Sequence, residues 1–169
     1  LAVASSYSGN TEETLEAYAD AVGRGARVVC ITTGGRLATG ARNDGQDLIT
    51  IPGGLPPRAA LGYSFTALLV TLERLGLLPD QAASLAEAAR VARDLAGRYA
   101  LERPEKENDA KKLARWLDGS IPAVYGCSAW SGAVATRWCG QLSENAKLIG
   151  HRNELPEMNH NEIVGWSGA

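Results

Sequence analysis

No apolar run in the sequence approaches the roughly 18 residues that a helix needs to cross a bilayer, so nothing in it reads as a membrane span. It also lacks a basic surplus. Seventeen Lys and Arg stand against 19 Asp and Glu, giving a formal charge of -2 and a pI near 5.7. A nucleic-acid binder usually shows a basic stripe, and none is visible here. Cysteine is scarce: Cys30, Cys127 and Cys139 are odd in number, and their spacing fits no zinc pattern. Cys30 and Cys127 fall in apolar, strand-like runs, so both are expected as buried thiols in a reducing, cytoplasmic setting. There is one Met, Met158, and none at position 1. The chain begins at Leu1 inside an apparent strand and stops at Ser167-Gly168-Ala169, so the natural protein is expected to extend at both ends. No signal peptide is visible.

What is present is the composition of a folded protein. Hydrophobic residues make up 45% and charged residues 21% of 169 residues, enough for a core and too apolar for disorder. Leu1-Ala2-Val3-Ala4 reads as the end of a buried strand, Ser5 to Asn10 as a polar turn, and a helix as starting at Thr11. Strand-like runs recur at 27–33, 47–51 and 121–125, with helices predicted at 36–42, 60–75, 81–101, 110–117 and 133–147. Such alternation predicts a parallel sheet flanked by helices, a three-layer flavodoxin-like α/β architecture. Both 3–22 and 123–147 hold a strand, a Ser/Gly loop and a helix, a weak internal duplication. The charged stretch 103–109 reads as a hinge between two lobes, or else as a solvated loop inside one domain.

Three places could carry chemistry. In Ser6-Tyr7-Ser8-Gly9-Asn10-Thr11, a strand-to-helix turn falls at the carboxyl edge of the sheet, where open α/β folds bind ligands. Ser6, Ser8 and Thr11 offer hydroxyls beside a helix N-terminus, and Gly9 allows close approach, which suits a phosphate monoester. Spacing alone leaves open that Asn10 and Thr11 merely cap a helix. Arg58 follows Pro56-Pro57 at a helix start, a poor place for a cation unless an anion lies there; a snorkelling surface Arg is the other reading. The third place, from Gln141 to Trp166, holds Glu144, Lys147, His151, Glu154, Glu157 and His160. A carboxylate late in a helix opposes the dipole, which tends to raise its pKa and suits a general base. His160 in a polar loop could move protons near neutral pH. On composition alone, Glu144 reads as a solvated helix residue and His160 as packing on Trp166.

Taken together, these stretches resemble the SIS (sugar isomerase) family, and within it the bifunctional phosphoglucose/phosphomannose isomerases. Ser6 to Leu15 is similar to the family's phosphate segment, Ile31 to Leu37 to the strand and turn that follow, and Pro57 to Tyr63 to its arginine segment. Glu144-Asn145-Ala146-Lys147 and Leu155 to Ile163 resemble its glutamate and histidine motifs. Ser143 stands where the family usually has Asn.

The resemblance implies a SIS fold with two incomplete subdomains: 1–56, a helical connection at 57–109, and 110–169. It implies an aldose–ketose isomerase of glucose 6-phosphate, mannose 6-phosphate and fructose 6-phosphate working through a cis-enediol. Ser6, Ser8 and Thr11 would hold the phosphate, and Glu144 would shuttle the proton. Arg58 would stabilise the intermediate, and His160 would open the ring. His160 would come from a neighbouring subunit, implying a homodimer, and the chemistry calls for no metal or other cofactor. A non-catalytic SIS module sensing a phosphosugar is the alternative; it would keep the serines and Thr11 without needing Glu144, Arg58 and His160.

Overall fold

A computed structural model describes residues 1–168. The chain divides into two compact units, Leu1–Ala92 and the residues from Arg93 onward, with the division inside one helix.

The first unit is built on three strands, β1 (Ala2–Ser5), β2 (Val28–Thr32) and β3 (Asp47–Thr50), in the order β1-β2-β3. All pairs are parallel, with Ala2 opposite Val28 and Val29 opposite Asp47. The expected strand at 27–33 is thus one residue shorter at each end. β2 is central and buried throughout, which is why its Val-Val-Cys-Ile-Thr sequence runs apolar without alternation. Helices α1 (Glu12–Gly23) and α2 (Gly35–Asn43) return the chain between strands. Val28 and Cys30 pack with Ala4, Tyr18, Leu37 and Ala41. On the other side, Val29 and Ile49 face Ala67 and Val70 of α3 (Leu61–Arg74). Helices therefore cover both faces of the sheet, as a parallel sheet requires.

Tyr18 closes the first face: its hydroxyl donates to Asp44 Oδ2 at 2.7 Å. Burial, and then the neighbouring Asp44, push the phenol pKa well above its ordinary value. Helix α4 (Ala82–Arg98) starts behind Asp80, whose Oδ1 accepts from the Ala82 N–H at 2.8 Å.

The second unit carries β4 (Ala123–Gly126) and β5 (His151–Glu154), paired in parallel with Ala123 opposite His151. Helix α5 (Asp109–Leu117) begins behind Asn108, which is buried; its Oδ1 accepts from the Lys111 N–H and its Nδ2 donates to Ala100 O. Helix α6 (Ala129–Gln141) follows β4 and packs on both strands. It starts four residues before the expected Ala133, because Ser131 Oγ accepts from the N–H groups of Cys127 and Ser128 at 2.8 and 2.9 Å. A short helix, α7 (Glu162–Trp166), follows a 3-10 turn at Glu157–Asn159.

β5, His-Arg-Asn-Glu, has no β-branched residue and is not among the strands expected from the sequence; pairing with β4 makes it a strand. One expectation is corrected here. Cys127 is exposed, since the chain has already left β4 and turned toward α6, whereas Cys30 lies fully buried in β2. No described helix is long and apolar enough to cross a membrane.

Candidate active site

The turn after β1 is held together mostly by its own hydroxyls. Ser6 is only 5% exposed, and its Oγ accepts from the Gly9 N–H at 3.1 Å. The same oxygen lies 2.8 Å from Thr11 Oγ1. Ser8 Oγ accepts from the Asn10 N–H at 3.2 Å. Ser6 is therefore the buried organiser of the turn, while Ser8 and Thr11 are exposed. The Thr11 hydroxyl goes to Ser6 and not to the first turn of α1, so the helix start is left without a side-chain cap from Thr11. Amides of a first helical turn have no intrahelical acceptor, and they share the positive end of the dipole.

The turn is locked to the neighbouring β2–α2 loop. Tyr7 O accepts from Thr33 N at 3.0 Å and from Thr33 Oγ1 at 2.8 Å. Leu37 N donates to Gly9 O at 2.9 Å, and Arg36 N donates to Asn10 Oδ1 at 3.1 Å. Gly9 has φ +69°, and a Cβ there would lie 1.9 Å from Gly34 O. Only glycine fits, for reasons of both backbone conformation and space.

Arg58 lies in a 3-10 turn, Pro57–Ala59, ahead of α3. The side chain is half-buried, with its Nε fully covered. The approach to this turn is tied to the first one: the Tyr7 hydroxyl donates to Pro52 O and accepts from Leu55 N, both at 3.1 Å. Ser6, Ser8 and Thr11 thus share one turn, and Tyr7 joins that turn to the segment leading to Arg58.

In the second unit, Glu144 sits in a π-helical turn, Leu142–Ala146, that continues α6. The expectation of ordinary helix there is corrected. The wider turn closes on Lys147, a non-glycine residue at φ +58°, and Leu148 N donates to Leu142 O. Such turns within helices occur frequently at functional sites. Glu144 is exposed, and the Lys147 ammonium donates to its backbone oxygen at 2.7 Å. His160 follows the 3-10 turn at Glu157–Asn159 and is exposed; its N–H donates to Glu157 O.

One residue in this region is given no role by the sequence reading. Glu162, the first residue of α7, accepts from four side chains: Tyr125 Oη, His151 Nε2 at 2.9 Å, Asn153 Nδ2 at 2.6 Å and Trp166 Nε1 at 2.9 Å. The hydrogen bonds from His151, Tyr125 and Asn153 hold its carboxyl down at about 2. The Tyr125 phenol is raised by the same contact. His151 is one of the two histidines singled out in the sequence, and its side chain points to this carboxylate.

A parallel sheet between helix layers, with a serine- and glycine-rich turn at its carboxyl edge, is an α/β architecture of the SIS type. The crystal structure of a Bacillus subtilis protein assigned to the phosphosugar isomerases has the same fold: TM-score 0.64 at 19% identity, covering 96% of this chain and 49% of that one. Residues 106–169 match the bacterial phospho-glucose isomerase C-terminal SIS domain. The bifunctional phosphoglucose/phosphomannose isomerase of Caldicellulosiruptor bescii is 51% identical over 165 residues, 98% of this chain and 49% of the relative. That of Thermoplasma acidophilum is 39% identical over 162 residues, 96% and 47%. Over nearly its whole length the chain is similar to the bifunctional phosphoglucose/phosphomannose isomerases, and it spans about half the length of the relatives it matches.

Proposed function

We propose that the protein carrying this chain is an aldose–ketose isomerase that interconverts glucose 6-phosphate or mannose 6-phosphate with fructose 6-phosphate. The observation that carries this reading is the Ser6–Thr11 turn, where two exposed hydroxyls flank an uncapped helix start at the carboxyl edge of a parallel sheet. That is a seat for a phosphate monoester, and the names of the relatives supply the sugar.

The chemistry is assigned as follows. His160, contributed by the neighbouring subunit of a homodimer, assists opening of the pyranose ring. The Glu144 carboxylate takes the proton from C2 of the open aldose, and the electron pair left behind makes the C1–C2 double bond of a cis-enediolate. Arg58 stabilises the oxyanion formed at O1. Glu144 returns the proton to C1 while the O2 hydroxyl proton passes to O1, so that O2 becomes the ketone and O1 a hydroxyl, and atoms balance without an oxidant. The setting is the cytoplasm, where such substrates occur.

The test is turnover of fructose 6-phosphate by the intact natural protein and its Glu144→Gln variant. The variant should lose about 10²- to 10⁴-fold in kcat, the usual share of a general base. Retained activity would remove Glu144 from the mechanism. Saturable binding of the sugar phosphate with no turnover in the parent protein would replace the isomerase with a phosphosugar-sensing module.

A further inference from the structure

We infer that Glu162 is a positioning residue that fixes the segment carrying His160; the inference rests on the reading of His160 as the ring-opening group. An ionised carboxylate has about four lone-pair sites. At Glu162 four donors converge: Tyr125 from β4, His151 and Asn153 from β5, and Trp166 from the end of α7. Its side chain is only 15% exposed. A carboxylate so saturated is a poor proton carrier and a strong anchor.

What it anchors is short. α7 has five residues, too few to hold a helix by backbone hydrogen bonding alone. Through Glu162 and its bonds to Tyr125, His151 and Asn153, the start of α7 is tied to both strands of the sheet. The link continues toward His160. Asn161 Oδ1 accepts from Glu162 N at 2.6 Å, and Asn161 Nδ2 donates to Glu157 Oε1 at 3.1 Å. The His160 N–H donates to Glu157 O at 2.9 Å. His160 therefore rides on a span closed at both ends, by Glu157 before it and by Glu162 two residues after it. Its exposed imidazole is presented from a fixed backbone, which is what orientation of a proton-transfer group requires.

The experiment uses the intact natural protein with glucose 6-phosphate and compares Glu162→Gln, His160→Ala and the double variant. Glu162→Gln keeps the size of the side chain but replaces one acceptor oxygen with a donor. Its kcat should fall by about 10- to 100-fold, with KM changed by less than about threefold. The double variant should be no slower than His160→Ala alone, since the anchor acts through the imidazole. Tyr125→Phe, which removes one donor without adding a mismatch, should lower kcat in the same direction by a few fold. It carries the test if Glu162→Gln does not fold. Multiplying losses in the double variant, or a raised KM with kcat intact, would overturn the positioning role. A His160→Ala protein with wild-type kcat would instead remove the reading of His160 on which the inference rests.

Discussion

The Tyr7 phenol and the Leu55 backbone amide are hydrogen-bonded at 3.1 Å across 48 residues of sequence, so the Ser6–Thr11 turn and the approach to Arg58 form one framework. The same hydroxyl donates to Pro52 O, and Tyr7 O on the turn itself is held by Thr33. Pro56 and Pro57 stiffen the remaining stretch to Arg58.

Tyr7→Phe removes one oxygen and keeps the ring. It should loosen the Arg58 approach while leaving the bonds of Ser6, Ser8 and Thr11 in place. The expected outcome is a fall in kcat of about tenfold with KM for fructose 6-phosphate nearly unchanged, the signature of an interaction made mainly in the transition state. A rise in KM alone would mean that Tyr7 serves the Ser6–Thr11 turn and not the arginine.

Thr11 and Ser6 share a hydrogen bond but differ in exposure, and their variants should differ accordingly. Thr11→Val removes an exposed hydroxyl beside the helix start and should raise KM for the phosphorylated sugar by about 10- to 100-fold, the range of a hydrogen bond to a charged group. Ser6→Ala removes the buried acceptor of the Gly9 N–H, so it should also lower the melting temperature by several degrees. Equal melting temperatures for the two variants would contradict the assignment of Ser6 as the organiser.

Much of this framework is legible in the sequence, for local reasons. The Ser6–Thr11 turn follows an apolar strand and precedes an acidic first helical turn, so both its position and its chemistry can be read within 15 residues. β2 declares itself as an apolar, β-branched run. Glu162 does not. Its partners lie 37, 11, 9 and 4 residues away, and only the pairing of β4 with β5 gathers three of them onto one side. That pairing is itself hidden, because β5 is polar and short. The π turn at Glu144 is likewise invisible to a helical periodicity, since one widened turn barely alters the pattern of apolar residues.

The Cys30 and Cys127 thiols should separate in reactivity. Burial raises the pKa of the Cys30 thiol, with the nearby Asp44 adding to the shift. It also lies fully covered in the central strand. Cys127 is exposed in the β4–α6 loop. A native-state titration with a thiol-specific disulfide reagent should label Cys127 rapidly and leave Cys30 unmodified until denaturant is added. Mass mapping of the labelled peptides checks this; early labelling of Cys30 would show that the three-stranded core opens under native conditions.

Acid should act on the α7 anchor within a definable window. The Glu162 carboxyl is held at about 2 in the folded protein, against an ordinary glutamate value near 4.3 in the unfolded chain. A depressed folded-state pKa means that the unfolded chain takes up its proton first as pH falls. The stabilisation from Glu162 is therefore fully present above about pH 4.5, and it is lost between about pH 4.5 and 2. Glu87, Glu105 and Asp109 are also held down, by Arg90, Arg115 and Lys112, but these are surface pairs screened by solvent, and a Glu162 variant retains all three. Thermal melts of wild type and Glu162→Gln at steps from pH 6 to 2.5 isolate the one group. The wild type should be the more stable at pH 6, and the gap should narrow steadily below about pH 4.5. A gap that stays constant across that range would mean that Glu162 is not ionised against its four donors, and the anchor would have to be redrawn as a neutral contact.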